Sequence, residues 1–213
     1  MKNKKIRVII VDDHAILRSG IKQILMATPD IEVVAEAENA TEAIRFSREI
    51  DADVMLLDIS LPDRSGIDAL KYIKRDNQKL AVLMLSMYME DQYAVRALKS
   101  GAYGYLCKHS ASSELISAIH TLAKGKKYIT PEVAEILAEQ LGGEKPQSLH
   151  ETLSDREFQT MIMISSGFSV SEIAEKLSLS VKTVSMYRTR LLEKMHLRHN
   201  SDITHYAIKN QLV

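Results

Sequence analysis

Short apolar runs alternate with helical patterns through the first part of the chain. Such alternation predicts buried strands separated by helices, and five repeats of it predict a parallel sheet with helices on both faces. The predicted strands are RVIIV (7–11), EVVAEA (32–37), VMLLD (54–58), LAVLMLS (80–86) and YGYLCK (103–108). Helical periodicity falls on residues 17–24, 41–50, 67–73, 93–98 and 115–122. This part of the chain is therefore predicted to be α/β, with a five-stranded, doubly wound parallel sheet.

The pattern changes after Lys127. Pro131 suits the first turn of a short helix, PEVAEILAEQL, and the following GGEKPQSLHE has glycines and polar residues without periodicity. Beyond it, LSDREFQTMIMISSG, SVSEIAEKLSLS, VKTVSMYRTRLLEKM and SDITHYAIKN have helical periodicity and no strand pattern. We predict an α/β domain over residues 1–126, a linker with a short helix over 127–149 and a small all-α domain over 150–213.

Composition limits the class of protein. With 46% hydrophobic and 26% charged residues, the 213-residue chain is typical of folded globular proteins. It has no apolar run long enough to span a membrane and no signal-peptide pattern, and its single cysteine, Cys107, suits a reducing compartment. We therefore expect a cytoplasmic protein without membrane contact. The net charge of zero means that any nucleic-acid surface must be local, and basic residues do outnumber acidic ones after Lys176.

Polar side chains occupy four of the five predicted strand ends. They are Asp12 and Asp13 after the first strand, Asp58 on the third, Ser86 on the fourth and Lys108 on the fifth. The carboxyl ends of parallel strands meet at one edge of a sheet, so these groups should lie together. Three adjacent carboxylates require a shared divalent cation, and hard oxygen ligands favour Mg²⁺.

A cation beside a free carboxylate suits phosphoryl transfer, with Asp58 as the nucleophile. Ser86 would then hydrogen-bond a phosphoryl oxygen and Lys108 would ion-pair with it. A single aspartate at a strand end is more often a solvating or helix-capping residue, but five complementary residues at four strand ends favour a site. Cys107 is more simply a small buried hydrophobic residue, and Tyr105 by itself could be a half-buried core aromatic.

The stretch SVSEIAEKLSLSVKTVSMYR has helix-turn-helix spacing, with Ser180 capping the second helix. In that helix one face is apolar, and the opposite face is mostly short and polar with cations at its flanks, as a DNA recognition helix requires. A solvated charged face is the simpler alternative. The candidate DNA contacts are Lys182, Thr183, Ser185, Met186, Arg188, Thr189, Arg190 and Lys194.

The motifs VDDH, LLDISLPDRSG, MLSM and YGYLCK, in this order, resemble those of a response-regulator receiver domain, which has the flavodoxin-like fold. The resemblance implies that Asp58 is the phosphoacceptor, with Ser86 and Lys108 assisting. It also implies that Asp13, Asp58 and the backbone carbonyl of Ser60 bind Mg²⁺, that Asp12 helps through water, and that Ser86 and Tyr105 form a conformational switch.

The C-terminal segment resembles the LuxR-type helix-turn-helix module through LSDRE, EIAEKLSLSVKTVSMYR and YAIKN. A receiver followed by this module is similar to the NarL/FixJ family of transcription regulators. That family implies a sensor histidine kinase or a small phosphodonor as phosphoryl source, promoter DNA and RNA polymerase as partners, and a homodimer paired through residues 202–210. It implies no enzyme activity beyond self-phosphorylation and dephosphorylation.

Two alternatives use the same residues differently. An aspartate-nucleophile phosphatase would turn over an organic phosphate, but such enzymes generally need a carboxylate two residues after the nucleophile, where this chain has Ser60. A protein-binding adaptor with an inert receiver would lack one of the acidic or lysine residues, and this chain has them all. The sequence favours the phosphorylation-controlled DNA-binding protein.

Overall fold

The predicted parallel sheet is present in the computed structural model of the chain, which describes residues 4–87, 90–110, 112–141, 148–210 and 212–213. Most of the predicted linker GGEKPQSLHE lies outside these residues. The chain divides into two compact units, Met1–Glu139 and Gln140–Val213. The boundaries at 126 and 149 stay predictions.

In the first unit the described strands are β1 (Ile6–Val11), β2 (Ile31–Ala37), β3 (Val54–Asp58), β4 (Ala81–Ser86) and β5 (Gly104–Cys107). They pair in parallel in the order β2-β1-β3-β4-β5. From β1 the chain adds β2 on one side and then β3, β4 and β5 on the other, so the topological switch point lies between β1 and β3. In a doubly wound sheet the ligand crevice lies at this switch point. The predicted fold class is confirmed.

The strand β2 differs from the prediction that all five strands are buried. It lies at the edge of the sheet, only its end residues Ile31 and Ala37 are buried, and Glu32 is exposed. An edge strand has a neighbour on one side only, so part of its surface stays in contact with water. The apolar residues Val33 and Val34 made this strand look more buried than its position allows.

Six helices in the described part of this unit begin close to their predicted positions: α1 (Ala15–Met26), α2 (Ala40–Glu49), α3 (Gly66–Asp76), α4 (Glu90–Lys99), α5 (Ser112–Ala123) and α6 (Pro131–Leu141). Asn39 and Ser65 cap α2 and α3 by accepting a backbone N–H. One apolar core joins β1, β3, β4 and β5 to α1 and α5, and includes Ile10, Leu56, Leu83 and Ile119. This core fixes the strand ends that carry the polar residues.

The described residues of the second unit form helices joined by short turns and no strand. A 3-10 helix (Leu149–Thr152) precedes α7 (Asp155–Ser165), α8 (Val170–Lys176), α9 (Val181–Met195) and α10 (Asn200–Lys209). Ser154 and Ser169 open α7 and α8 with capping boxes. The predicted all-α class of this part of the chain is confirmed.

The turn between α8 and α9 contains an unusual residue. Ser178 has φ +53°, and its N–H donates to the carbonyl of Glu175 at 3.1 Å, while the N–H of Leu179 donates to the carbonyl of Ala174 at 2.8 Å. This pair of bonds is the Schellman motif, in which the left-handed position is usually glycine. Ser180 then caps α9 by accepting the N–H of Thr183 at 3.0 Å. The turn fixes the angle between the two helices at the cost of some backbone strain.

Candidate functional site

The polar strand ends of the first unit meet at one edge of the sheet. Lys108 Nζ lies 2.8 Å from Oδ2 of Asp12 and 2.8 Å from Oδ2 of Asp58. The three side chains are almost completely buried, with exposed fractions of 2% or less. Since β1, β3 and β5 are parallel strands of one sheet, their carboxyl ends lie at the same edge of it and bring together residues that are far apart in sequence.

Burial and charge act on this cluster together. Burial, and to a lesser extent the neighbouring carboxylate of Asp12, raise the pKa of Asp58 above its usual range, although Lys108 opposes them. Burial by itself would lower the pKa of Lys108, but attraction by Asp58 and Asp12 outweighs it and the pKa is raised. The lysine is therefore a fixed ammonium ion that screens two carboxylates from each other.

The loop after Asp58 is closed tightly on itself. Asp58 Oδ1 accepts the N–H of Ser60 at 3.1 Å, Ser60 pairs with Ser65 in an antiparallel bridge, and the N–H of Gly66 donates to the carbonyl of Ile59 at 2.8 Å. A Cβ at Gly66 would lie 1.9 Å from the carbonyl oxygen of Asp58. The loop therefore holds the end of β3 against the first turn of α3.

The same loop is attached to α2 through Asp63. Its Oδ1 accepts the N–H of Ala40 at 2.8 Å, and its Oδ2 accepts the N–H of Thr41 at 2.9 Å and the hydroxyl of Thr41 at 2.7 Å. Burial tends to raise the pKa of Asp63, but these hydrogen bonds outweigh it and the pKa is lowered. No sequence pattern indicates this role, because a helix cap supplied from a distant loop has no local signal.

Ser86 and Tyr105 lie on neighbouring strands. Ser86 pairs with Cys107 and Tyr105 pairs with Met84, so Ser86 and Tyr105 share one face of the sheet as diagonal neighbours. Both are 1% exposed. Tyr105 is thus fully rather than half buried, because α4 covers this part of the sheet. Cys107 is only partly buried.

One further residue joins the acidic cluster. His14 Nδ1 lies 2.8 Å from Asp13 Oδ1 and 3.2 Å from Asp12 Oδ1. Asp12, Asp13, His14 and Asp58 each offer one ligand atom, and these atoms lie within 4.8 Å of one another. The position of His14 directly after the acidic pair was the signal in the sequence for this contact, which was not predicted.

The acidic cluster has the chemistry of a divalent-cation site. Apart from the contacts to Lys108 and His14, Oδ2 of Asp12, Oδ1 of Asp13 and Oδ2 of Asp58 are buried and accept no hydrogen bond from any described residue. Buried carboxylate oxygens normally have such partners, and hard oxygen donors with spare lone pairs suit Mg²⁺. The residues therefore fit the cation.

In the second unit, α9 has the two faces that the sequence predicts. Val184, Leu191 and Met195 are buried, whereas Lys182, Ser185, Met186, Thr189 and Arg190 are exposed. The Thr189 hydroxyl donates to the carbonyl of Ser185 at 3.0 Å within the helix. The exposed face is available to a DNA groove, and its contacts with bases stay a prediction.

Three of the candidate DNA contacts have side-chain partners inside the unit. Lys194 Nζ lies 2.6 Å from Glu157 Oε2, Arg188 Nε donates to Asn200 Oδ1 at 2.6 Å, and the hydroxyl of Thr183 lies 2.8 Å from that of Ser180. Helical periodicity gives the direction of a side chain but not its partner on another helix. Arg190 is thus better placed for a phosphate than Lys194.

Comparison with known proteins assigns a family to each of the two units. Residues 8–120 match the response regulator receiver domain, and residues 151–207 match the luxR family of bacterial regulatory proteins. The chain is 38% identical to the response regulator UvrY of Escherichia coli over 208 residues, covering 97% of this chain and 95% of UvrY. It is 33% identical to the response regulator GacA of Pseudomonas aeruginosa over 211 residues, covering 98% of each.

Solved structures give the same result. RcsB from Salmonella enterica serovar Typhimurium, bound to promoter DNA in the presence of the phosphomimetic BeF₃⁻, is similar with a TM-score of 0.63 and 30% identity, over 95% of this chain and 98% of that one.

In the described residues, no helix has the length and apolar character needed to cross a membrane.

Proposed function

Because this chain belongs to the NarL/FixJ family of two-component response regulators, we propose that Asp58 is its phosphoacceptor and that phosphorylation controls promoter binding by α9. The observation that carries this proposal is the position of Lys108, 2.8 Å from both Asp12 and Asp58. The ammonium ion is placed to neutralise a phosphoryl group that arrives on the Asp58 carboxylate.

In the proposed reaction an oxygen of Asp58 attacks the phosphorus of a phosphohistidine in a sensor histidine kinase, or of a small phosphodonor. An acyl phosphate O–P bond forms while the bond from phosphorus to the donor breaks, and the donor keeps that electron pair. Asp13, Asp58 and the Ser60 carbonyl would hold Mg²⁺, with Asp12 acting through water. The cation supplies positive charge for the equatorial oxygens. Apart from this self-phosphorylation and the later loss of the phosphoryl group, the protein is not an enzyme.

Ser86 and Tyr105 form the proposed link between Asp58 and the rest of the receiver. The Ser86 residue ends β4 beside the acceptor strand, where Asp58 pairs with Leu85. Its hydroxyl would donate to a phosphoryl oxygen, and Tyr105, on the same face of the neighbouring strand, would adjust its packing with Ser86. Lys108 would pair with a second phosphoryl oxygen.

DNA binding is proposed for the exposed face of α9. Lys182, Ser185, Met186 and Thr189 would contact base edges, and the cations at the flanks would hold phosphates. A second copy would pair through the exposed side of α10, where Ile208 is 61% exposed while Ile203 and Ala207 lie in the core. One RcsB structure is described as two dimers on two parallel DNAs. RNA polymerase is the expected further partner at a promoter.

The test of the phosphoacceptor uses the full-length protein, Mg²⁺ and a small phosphodonor, with intact-mass detection. One phosphoryl group should be added, and Asp58→Asn should abolish labelling while the exposed Asp51→Asn does not. Undiminished labelling of the Asp58→Asn variant would refute the assignment. Absence of labelling in the wild type would favour the inert adaptor, and rapid turnover of an organic phosphate would favour the phosphatase.

A further inference from the structure

The carboxylate of Asp12 is contacted by different groups on its two oxygens. Oδ2 lies 2.8 Å from the ammonium of Lys108, whereas Oδ1 accepts the backbone N–H of His14 at 2.8 Å and lies 3.2 Å from the His14 ring nitrogen Nδ1. The lysine and the imidazole therefore lie toward opposite oxygens of one buried carboxylate. A cation added to this site would approach from the imidazole side, because the lysine already occupies the other.

The imidazole faces the carboxylates from a position just before α1. His14 is the residue before α1, and its side chain accepts no backbone N–H at the start of that helix. Its ring instead faces the two carboxylates, with Nδ1 2.8 Å from Asp13 Oδ1. The side chain is 61% exposed, so it can rotate away from the carboxylates or stay without disturbing the core.

The ligand spacing suits a small cation. With metal–ligand bonds of about 2.1 Å, ligand atoms in an octahedral site are about 3 to 4.2 Å apart. The four candidate ligand atoms already lie within 4.8 Å of one another, so small side-chain rotations would bring them to these distances. The carboxylates of Asp12, Asp13 and Asp58 supply the negative charge.

We propose that His14 is a metal ligand for borderline transition cations such as Co²⁺ and Zn²⁺ at the phosphorylation site, and that Mg²⁺ displaces its ring instead. The reason is chemical: Mg²⁺ prefers oxygen and water, whereas imidazole nitrogen is a strong ligand for the later first-row divalent metals. The site thereby discriminates between two classes of cation through one exposed side chain. This inference rests on the proposed metal site and adds its selectivity.

The test measures metal binding to the full-length, unphosphorylated protein at constant neutral pH. Calorimetric titrations with Co²⁺ and Mg²⁺ give the ratio of the two affinities. Proton NMR of the Co²⁺-loaded protein should show a hyperfine-shifted imidazole N–H resonance that disappears in D₂O. His14→Gln should remove that resonance and lower the Co²⁺/Mg²⁺ ratio at least about tenfold, as changes around a metal site commonly do.

Two control variants test whether the shifted resonance and the affinity ratio come from His14 at the acidic cluster. His205→Gln removes an exposed imidazole from α10 and should leave both readouts unchanged. Asp13→Asn should weaken both cations and remove the shifted resonance. A wild-type protein without that resonance, or a ratio that is the same in His14→Gln, would overturn the inference. Failure of phosphodonor labelling would refute the proposed function alone, since these titrations need no phosphorylation.

Discussion

Lys194 on α9 forms an ion pair with Glu157 on α7, with 2.6 Å between Nζ and Oε2. Glu157 is also the third residue of α7 and closes its capping box, where its Oε2 accepts the N–H of Ser154 at 2.8 Å. Its side chain is 3% exposed, whereas that of Lys194 is 42% exposed. The pair therefore joins the start of α7 to the last turn of the proposed recognition helix.

Lys194→Met should lower the stability of the second unit, and its main effect should be on stability and not on DNA affinity. It leaves a buried carboxylate with its capping bonds only, which costs about 1–2 kcal/mol after allowance for the half-exposed lysine. Hydrogen exchange of α7 and α9 amides should speed up accordingly, and Lys182→Met, on the exposed face, should not cause this. Equal exchange in the two variants would show that the ion pair does not stabilise the unit.

The same pair predicts a pH dependence. Burial tends to raise the pKa of Glu157, but the Lys194 and Ser154 hydrogen bonds outweigh it and lower the pKa. A carboxyl group with a lowered pKa in the folded state stabilises the fold above its unfolded pKa and loses that contribution as pH falls. The difference in exchange between wild type and Lys194→Met should therefore shrink on acidification. A difference that is constant down to acidic pH would contradict this.

Asp63 should contribute to the stability of the receiver through Thr41. Asp63→Ala removes the acceptor for two backbone N–H groups and one hydroxyl, and should cost about 1–2 kcal/mol. Thr41→Val removes the hydroxyl alone and should cost less. Urea unfolding of both single variants and the double variant gives the coupling energy. Strictly additive effects would mean that the 2.7 Å contact contributes nothing.

Ser178→Gly should stabilise the helix-turn-helix. At φ +53° a serine is strained by roughly 1 kcal/mol, and glycine adopts this conformation freely. Part of the gain is offset by the greater freedom of glycine in the unfolded chain, so the net effect should be about 0.5 kcal/mol. Thermal unfolding measures it, with Ser201→Gly in the first turn of α10 as a control that should destabilise. A lower melting temperature for Ser178→Gly would show that the serine is not strained.

Different residues of α9 should contact the DNA bases and the DNA phosphates. Substitution of Ser185 or Met186 should change the preferred sequence, with about 1–3 kcal/mol for each lost base contact. Arg190→Ala should weaken binding to all DNAs and reduce the slope of log affinity against log salt by about 0.9 per contact. Lys194→Ala should change that slope less, since its partner is Glu157. Isotherms on matched and scrambled DNA at several salt concentrations decide this, and an unchanged slope for Arg190→Ala would imply another rotation of the helix.

The sequence predicted the parts of the site that depend on topology. Asp12, Asp58 and Lys108 could be grouped because parallel strands end at one edge, and the buried and exposed faces of α9 follow from the helical period. The position of His14 directly after the acidic pair was a signal in the sequence, but the contacts of Asp63 and Lys194 could not be predicted. Each depends on where the backbone of a loop or a second helix lies, and periodicity within one segment carries no information about that.

Position 66 has no room for a side chain beside the proposed phosphoacceptor Asp58. Any residue other than glycine would place its Cβ 1.9 Å from the Asp58 carbonyl oxygen, far inside the contact distance of two atoms. Either β3 or α3 would have to move, and Asp58 would move with them. A library that randomises residues 64 and 66 and selects for phosphorylation should therefore accept many residues at the half-buried position 64 and recover glycine alone at position 66.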